Sequence, residues 1–139
     1  MPQITSRARY YFGLHGWSEA DIDYLEENAD SIEDKDGWAM GVATAPDGVV
    51  WLYPTSPDNI FPVSLWKRIR WYIQNNSNVV IPMSVDQEKV SDLASRYNGY
   101  LVSNLFMFGD ELKGLQGYSG EKRWSHSRMG ESETKTIGE

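Results

Sequence analysis

The clearest pattern of apolar and polar positions lies in residues 49–84, where it predicts a strand, a helix and a second strand. Residues 49–53 form an unbroken run of β-favouring side chains, as in a strand buried on both faces. Residues 62–74 begin with proline, which suits a first helical turn, and carry one apolar stripe: Leu65, Trp66, Ile69, Tyr72 and Ile73. Residues 79–81 resume strand character. Two strands joined by an amphipathic helix predict a βαβ unit with parallel strands.

The patterns on either side extend this unit into a larger sheet. Residues 37–45 alternate bulky and small side chains, and the Pro-Asp-Gly turn that follows predicts an antiparallel hairpin with residues 49–53. A second amphipathic helix is predicted between residues 86 and 98, and the apolar run 100–108 is most simply one long last strand. The sequence therefore predicts an α/β (α+β) domain with a single mixed β-sheet.

The N-terminal part of the chain shows weaker patterns. Residues 1–9 have no periodicity and are predicted to form an arm or a short edge strand, and residues 1–17 together are predicted to be an N-terminal arm. Ser18 is a predicted N-cap of a helix that ends near Glu33, with an acidic opposite face. The acidic residues of that face are Asp23, Glu26, Glu27, Asp30 and Asp34. A solvated helix face is the expected interpretation, and a carboxylate site for a metal or a substrate amine is the alternative.

Charge and composition narrow the classes of function. A chain of 139 residues is long enough for one domain, and 13 Lys and Arg against 20 Asp and Glu give a net charge of −7. That balance argues against a general role in binding nucleic acid or an anionic membrane. The chain has no cysteine, which excludes disulfides and thiolate metal sites, and it has no stretch typical of a signal peptide or a membrane span. A soluble protein made in a cytoplasm is expected, and the 6 Trp and 8 Tyr favour a protein with partners.

The composition changes at residue 109. Residues 109–139 are rich in glycine and charge and poor in large apolar side chains, so they are predicted to form an extended tail after a globular domain at 18–108. Trp124 is flanked by cations, and aromatic and arginine residues are enriched in interface hot spots. The predicted partner-binding residues of the tail are Tyr118, Arg123, Trp124 and Arg128.

Other candidate sites have less support. The only two histidines, His15 and His126, lie in different segments, so neither a histidine metal site nor a nucleophilic triad is predicted. The cations at 67, 68 and 70 lie close in sequence to Trp66, Trp71 and Tyr72, a mixture found in single-strand nucleic-acid binding. On a helix, however, the aromatic and cationic side chains are expected to point to different faces, so an ordinary amphipathic helix is the preferred interpretation.

The order of elements resembles the GNAT acyltransferase superfamily. The hairpin, the helix at 62–74, the strand at 78–83 and the helix at 86–98 follow in the same order. The end of that helix, Arg96-Tyr97-Asn98-Gly99-Tyr100, is similar to the basic or polar residue, glycine and aromatic of the superfamily. In layout and aromatic content the chain also looks like small GNAT-like virion proteins of tailed phages. The resemblance covers residues 18–108 and implies a GNAT-like fold.

The chain departs from the superfamily where acyl-CoA binds. Active members have an Arg/Gln-x-x-Gly-x-Gly/Ala loop before the central helix, because glycines allow the backbone to approach the pyrophosphate. Residues 55–62 have no glycine, two prolines and Asp58. We therefore expect a non-catalytic structural or interaction protein without cofactor or metal, such as a virion-associated component that binds other virion proteins through its tail. The alternative is a divergent acetyl-CoA-dependent N-acyltransferase that uses Tyr97 or a water as acid or base.

Overall fold

The computed structural model describes residues 3–82, 87–97, 99–102 and 105–109. These residues form four helices and six strands. In chain order they are α1 (Ser6–Leu14), α2 (Glu19–Asn28), β1 (Ser31–Lys35), β2 (Trp38–Thr44), β3 (Val50–Thr55), α3 (Val63–Asn75), β4 (Val79–Pro82), α4 (Gln87–Arg96), β5 (Gly99–Val102) and β6 (Leu105–Phe108).

The strands form one mixed sheet in the order β1-β2-β3-β4-β6-β5. Strands β3 and β4 are parallel and are joined by α3, and the other neighbouring strands are antiparallel. The predicted α/β (α+β) class, the hairpin and the βαβ unit are therefore confirmed. Strand β3 continues beyond its predicted end, since Pro54 and Thr55 still lie opposite Met40 and Ala39 of β2.

Helices cover both faces of the sheet. Helices α1 and α2 pack on one face, where their apolar residues meet the small side of β2 and the aromatic side of β3. Helices α3 and α4 pack on the other face, against the bulky side of β2. The alternation of bulky and small side chains predicted for β2 explains this difference. A Cβ at Gly41 would lie only 3.0 Å from the side chain of Leu25 on α2, so the small residues of β2 allow α2 to pack closely.

The N-terminal arm prediction is wrong for most of residues 1–17, because residues 6–14 form helix α1. Thr5 caps this helix by accepting a hydrogen bond from the Ala8 N–H at 3.1 Å. Ala8, Tyr11 and Phe12 are buried, and their spacing of three and four residues is that of one helix face. The helix is therefore part of the hydrophobic core.

The helix predicted to run from Ser18 to Glu33 is shorter than expected. Ser18 is the N-cap and forms a capping box with Asp21, as its position indicated. The helix ends at Asn28, however, and Glu33 lies in strand β1, which pairs with β2. The two strands are joined through Asp36 and Gly37, where a glycine at φ 101° allows the tight reversal.

The single last strand predicted at 100–108 is two strands, β5 and β6, which pair antiparallel. Gly99 lies opposite Phe108, and a Cβ at Gly99 would come within 2.6 Å of the Phe108 ring. The close packing of this pair therefore requires a glycine. In helix α4, Val90, Leu93 and Ala94 are buried, as expected for the apolar side of the predicted amphipathic helix.

Some predictions lie outside the described residues: the start at 86 and the end at 98 of the second predicted amphipathic helix, and the tail after residue 109. Within the described residues, no helix has both the length and the apolar character needed to cross a membrane.

Candidate functional site: a groove between a sheet edge and a helix

An open groove of about 870 Å³ lies between the edge strand β1 and helix α3, and we call it the β1–α3 groove. The residues that line it are Ser31, Ile32, Glu33, Asp34 and Lys35 from β1, Trp38 from β2, and Ser64, Lys67, Arg68, Trp71 and Tyr72 from α3.

Local structure explains why these residues share one surface. Alternate residues of a strand point to the same face, which places Glu33 and Lys35 on the α3 side of β1. On α3, Ser64, Lys67 and Trp71 are three and four residues apart and therefore lie along one side of the helix. Neither pattern alone predicts a site. β1 and α3 lie side by side only because the hairpin and the βαβ crossover between them bring the two elements together.

A network of hydrogen bonds joins the two walls of the groove at Glu33. Arg68 donates from Nε to Glu33 Oε1 at 2.8 Å and from Nη2 to Oε2 at 3.0 Å, in a two-pronged ion pair. The Tyr72 hydroxyl donates to the same Oε2 at 2.6 Å. Only 15% of the Glu33 side chain is exposed, so its charge is held mainly by these two partners.

Arg68 also packs on aromatic rings. Its guanidinium lies 4.5 Å from the ring centre of Trp71 and 4.8 Å from that of Tyr72, distances typical of cation–π contacts. The expectation that the cations and aromatics of this helix point to different faces is therefore wrong for Arg68. Trp71 remains 45% exposed, although Arg68 packs on its ring.

The network shifts the proton affinity of its members. Burial raises the pKa of Glu33, but the hydrogen bonds from Arg68 and Tyr72 and the nearby charges outweigh it, so the net pKa lies below the ordinary value. Burial and the hydrogen bond to Glu33 raise the pKa of Tyr72 to about 12. The hydrogen bond to Glu33 raises the pKa of Arg68. At neutral pH the network thus consists of an anion, a cation and a neutral phenol.

The two ends of the groove differ in chemistry. Trp38, which lies opposite Lys35 in the sheet, donates from Nε1 to Ser64 Oγ at 2.9 Å, so Lys35 lies near the start of α3. Glu33 contacts Arg68 and Tyr72 farther along the helix, which means that α3 runs antiparallel to β1. One end of the groove therefore carries Lys35 and Lys67, and the other carries Trp71.

Of the acidic residues predicted for a single helix face, Asp23, Glu26 and Glu27 lie on α2, whereas Asp30 and Asp34 lie beyond its end. Asp34 lies in β1, where it accepts hydrogen bonds from Arg7 at 3.1 and 3.2 Å and one from the Thr5 hydroxyl. On α2, Asp23 and Glu26 both pair with Arg9 of α1. These carboxylates join α1 to the domain, while Glu27 remains exposed as expected. Among the described residues, no cluster of three or more His, Asp or Glu is arranged to hold a metal ion.

The segment that replaces the acyl-CoA loop is tied to α1. Thr55 and Ser56 are 1% exposed, and the Thr55 hydroxyl donates to the Tyr11 carbonyl at 3.1 Å. His15 Nε2 lies 2.7 Å from the Ser56 carbonyl oxygen. Helix α3 then begins after Pro62 without a side-chain cap. The polar groups of this segment therefore bind the protein itself.

Tyr97, the alternative general acid, packs against the α3–α4 core cluster, and its hydroxyl accepts a hydrogen bond from Gln74 at 3.3 Å. The predicted partner-binding residues Tyr118, Arg123, Trp124 and Arg128 lie outside the described residues, so their role stays a prediction.

Sequence reasoning missed Glu33 and the groove itself. Trp71 and Tyr72 follow Arg68 by three and four residues, and this spacing, which brings side chains together on a helix, was visible in the sequence. No sequence signal linked Glu33 to them, because 35 residues separate Glu33 from Arg68.

Comparison of the chain with protein-family models, curated proteins and solved structures gives no match. The GNAT resemblance therefore depends on the motif at residues 96–100 and on the order of the elements.

Proposed function

We propose that the protein is a non-catalytic interaction protein with a GNAT-like fold, and that it joins a larger assembly of other proteins through the β1–α3 groove. The observation that carries this proposal is the exposed Trp71 ring, against which Arg68 packs at one end of the groove. Tryptophan and arginine are the types most enriched at interface hot spots. A side chain already fixed before binding loses less conformational entropy on association.

The segment at 55–62 supports a non-catalytic role. Its buried hydroxyl and carbonyl groups are occupied by Tyr11, His15 and Asp58, and it contains no glycine that would bring backbone N–H groups close to a pyrophosphate.

The setting of this assembly follows from the sequence resemblance. We propose a virion-associated component of a tailed phage, in which the tail at 109–139 makes a second contact with a partner through Trp124. The composition of the tail and the resemblance to GNAT-like virion proteins support this part of the proposal.

The experiment is to purify the tagged full-length chain from the cells that make it and to measure the mass of the particle that contains it. We expect a particle much larger than 15.9 kDa. Trp71→Ala should release the chain from that particle, because truncation of a hot-spot residue costs about 2 kcal/mol or more. Tyr10→Ala is the matched control, since Tyr10 is an exposed aromatic at 62% on α1, away from the groove. A monomeric wild-type chain, or equal effects of the two variants, would contradict the proposal.

The second candidate function is acetyl-CoA-dependent N-acyl transfer. The observation in its favour is the parallel pair β3–β4 with its α3 crossover, because ligands of α/β sheets bind beyond the carboxyl ends of such strands. A ligand at 100 times its dissociation constant stabilises a fold by about 2.7 kcal/mol. We expect millimolar acetyl-CoA to leave the melting temperature unchanged, and a clear increase would favour the enzyme.

A further inference from the structure

We infer that the β1–α3 groove binds an extended, acidic segment of a partner protein, which adds to the sheet as a new strand beside β1. This inference rests on the proposed function and specifies the chemistry of the partner.

The backbone of β1 offers a template for an added strand. β1 is the first strand in the sheet order, and it pairs with β2 on one side only. In an antiparallel pair, every second residue of an edge strand directs its N–H and C=O groups outward. Among the described residues, no backbone hydrogen bond reaches the outer edge of Ser31–Lys35. An extended segment could therefore use these groups, as in β-strand addition.

The free charges among the residues that line the groove are positive. Glu33 is paired with Arg68, and Asp34 is paired with Arg7 on the other face of the sheet. Lys35 and Lys67 are both exposed, and neither forms an ion pair with a described residue. In a chain with a net charge of −7, this edge thus presents two unpaired cations and is complementary to a carboxylate.

The spacing along the groove matches that of a strand. Lys67 and Trp71 are four residues apart on α3, which corresponds to about 6 Å along the helix axis. Side chains two residues apart on one face of a strand are separated by about 7 Å. A strand beside β1 can therefore place a carboxylate at Lys67 and an apolar side chain on Trp71. The expected motif in the partner is an acidic residue and an apolar residue separated by one position, in either order according to the strand direction.

The same cations are less suited to a nucleic acid. Binding of a phosphate backbone requires several cations along a track, and the carboxylate of Glu33 lies in the middle of this groove. The outward N–H and C=O groups of β1 are complementary to a peptide backbone, so we assign the groove to a protein segment.

The experiment uses the full-length protein and short, threonine-rich peptides with a central Glu-Thr-Leu or Leu-Thr-Glu. Matched peptides carry Lys in place of Glu, and affinities are measured by fluorescence anisotropy of a label on the peptide. We expect one acidic peptide to bind, and Lys67→Glu to weaken its binding about tenfold and to transfer the preference to a Lys peptide. Lys89→Glu, an equal charge change at an exposed residue of α4, should leave the affinity unchanged.

Amide hydrogen exchange separates strand addition from simple charge attraction. The bound acidic peptide should slow exchange at alternate amides of Ser31–Lys35, which would form new hydrogen bonds. Failure of both acidic peptides to bind, equal affinity for acidic and Lys peptides, or binding without protection of β1 would overturn the inference. Tighter binding of an oligothymidylate at the same residues would overturn it in favour of a nucleic acid.

Failure of this inference is distinguishable from failure of the proposed function. If Trp71→Ala releases the protein from its native particle but the peptides fail, the groove is an interface and only the strand chemistry is wrong. If the native chain is monomeric, the proposed function itself fails.

Discussion

Glu33 is the residue at which the two walls of the groove meet. Its carboxylate accepts hydrogen bonds from Arg68 and Tyr72, and its pKa is lowered because these bonds and charges outweigh burial. A carboxylate whose pKa is lower in the folded state stabilises the fold above its ordinary pKa of about 4.3. That contribution is lost as the pH falls through the folded-state value.

Glu33→Gln is therefore expected to lower the free energy of unfolding by about 1–2 kcal/mol at pH near 7, because it removes a charged hydrogen-bond acceptor. The difference from the wild type should shrink as the pH falls below the ordinary pKa of a glutamate and through the lower folded-state pKa, where Glu33 itself becomes protonated. Urea unfolding across this pH range measures both effects.

Glu27→Gln is the control for this prediction, since Glu27 is an exposed carboxylate of α2 without an ion pair to a described residue. Equal losses in the two variants, or a Glu33→Gln loss that does not depend on pH, would mean that the network contributes nothing to stability.

At the scale of elements, helix α3 has two roles, and a different side of the helix serves each one. Its apolar side, with Leu65 and Ile69 at 0% exposure, fills the core between the sheet and α4. Its neighbouring side forms the groove. Arg68 lies between these sides, and its ion pair and ring contacts place it with the aromatic side chains from which the sequence was expected to separate it.

Ile69→Ala should lower the free energy of unfolding by about 2–5 kcal/mol, because it leaves a cavity in a fully buried site. Arg70→Ala on the same helix should change it by no more than about 0.5 kcal/mol, because Arg70 has no ion pair with a described residue. Denaturant unfolding of both variants makes the comparison, and similar losses would show that the helical face has been assigned wrongly.

At the scale of the whole molecule, the domain has its core on both faces of the sheet, and each face is closed by two helices of the described part of the chain. The tail is too poor in apolar residues to form a core of its own, and its expected contribution is to assembly.

Deletion of residues 110–139 should therefore leave the melting temperature nearly unchanged and weaken assembly with the partner. Trp124→Ala alone should weaken assembly, because it removes the largest side chain of the tail. Calorimetry and measurement of particle mass test the two parts separately. Unfolding of the truncated chain would mean that the tail belongs to the core, and normal assembly would leave the β1–α3 groove as the sole proposed contact.

The sequence by itself determined the elements whose signals are local. The helices and strands of the βαβ unit, the β2–β3 hairpin, the Ser18 cap and the apolar side of α4 each follow from periodicity and turn residues within one stretch of consecutive positions. These features specify the fold class, because a hairpin followed by a βαβ unit admits few sheet topologies.

Only the tertiary structure decided the remaining elements and the candidate site. Strand β1 contains a single large apolar residue, Ile32, and becomes a strand because β2 pairs with it and α1 covers it. The split of the last strand depends on pairing between β5 and β6, which a continuous apolar run does not reveal. Glu33 meets Arg68 and Tyr72 only after the sheet edge and α3 come together. Contacts between residues distant in sequence leave no local pattern, and the groove consists entirely of such contacts.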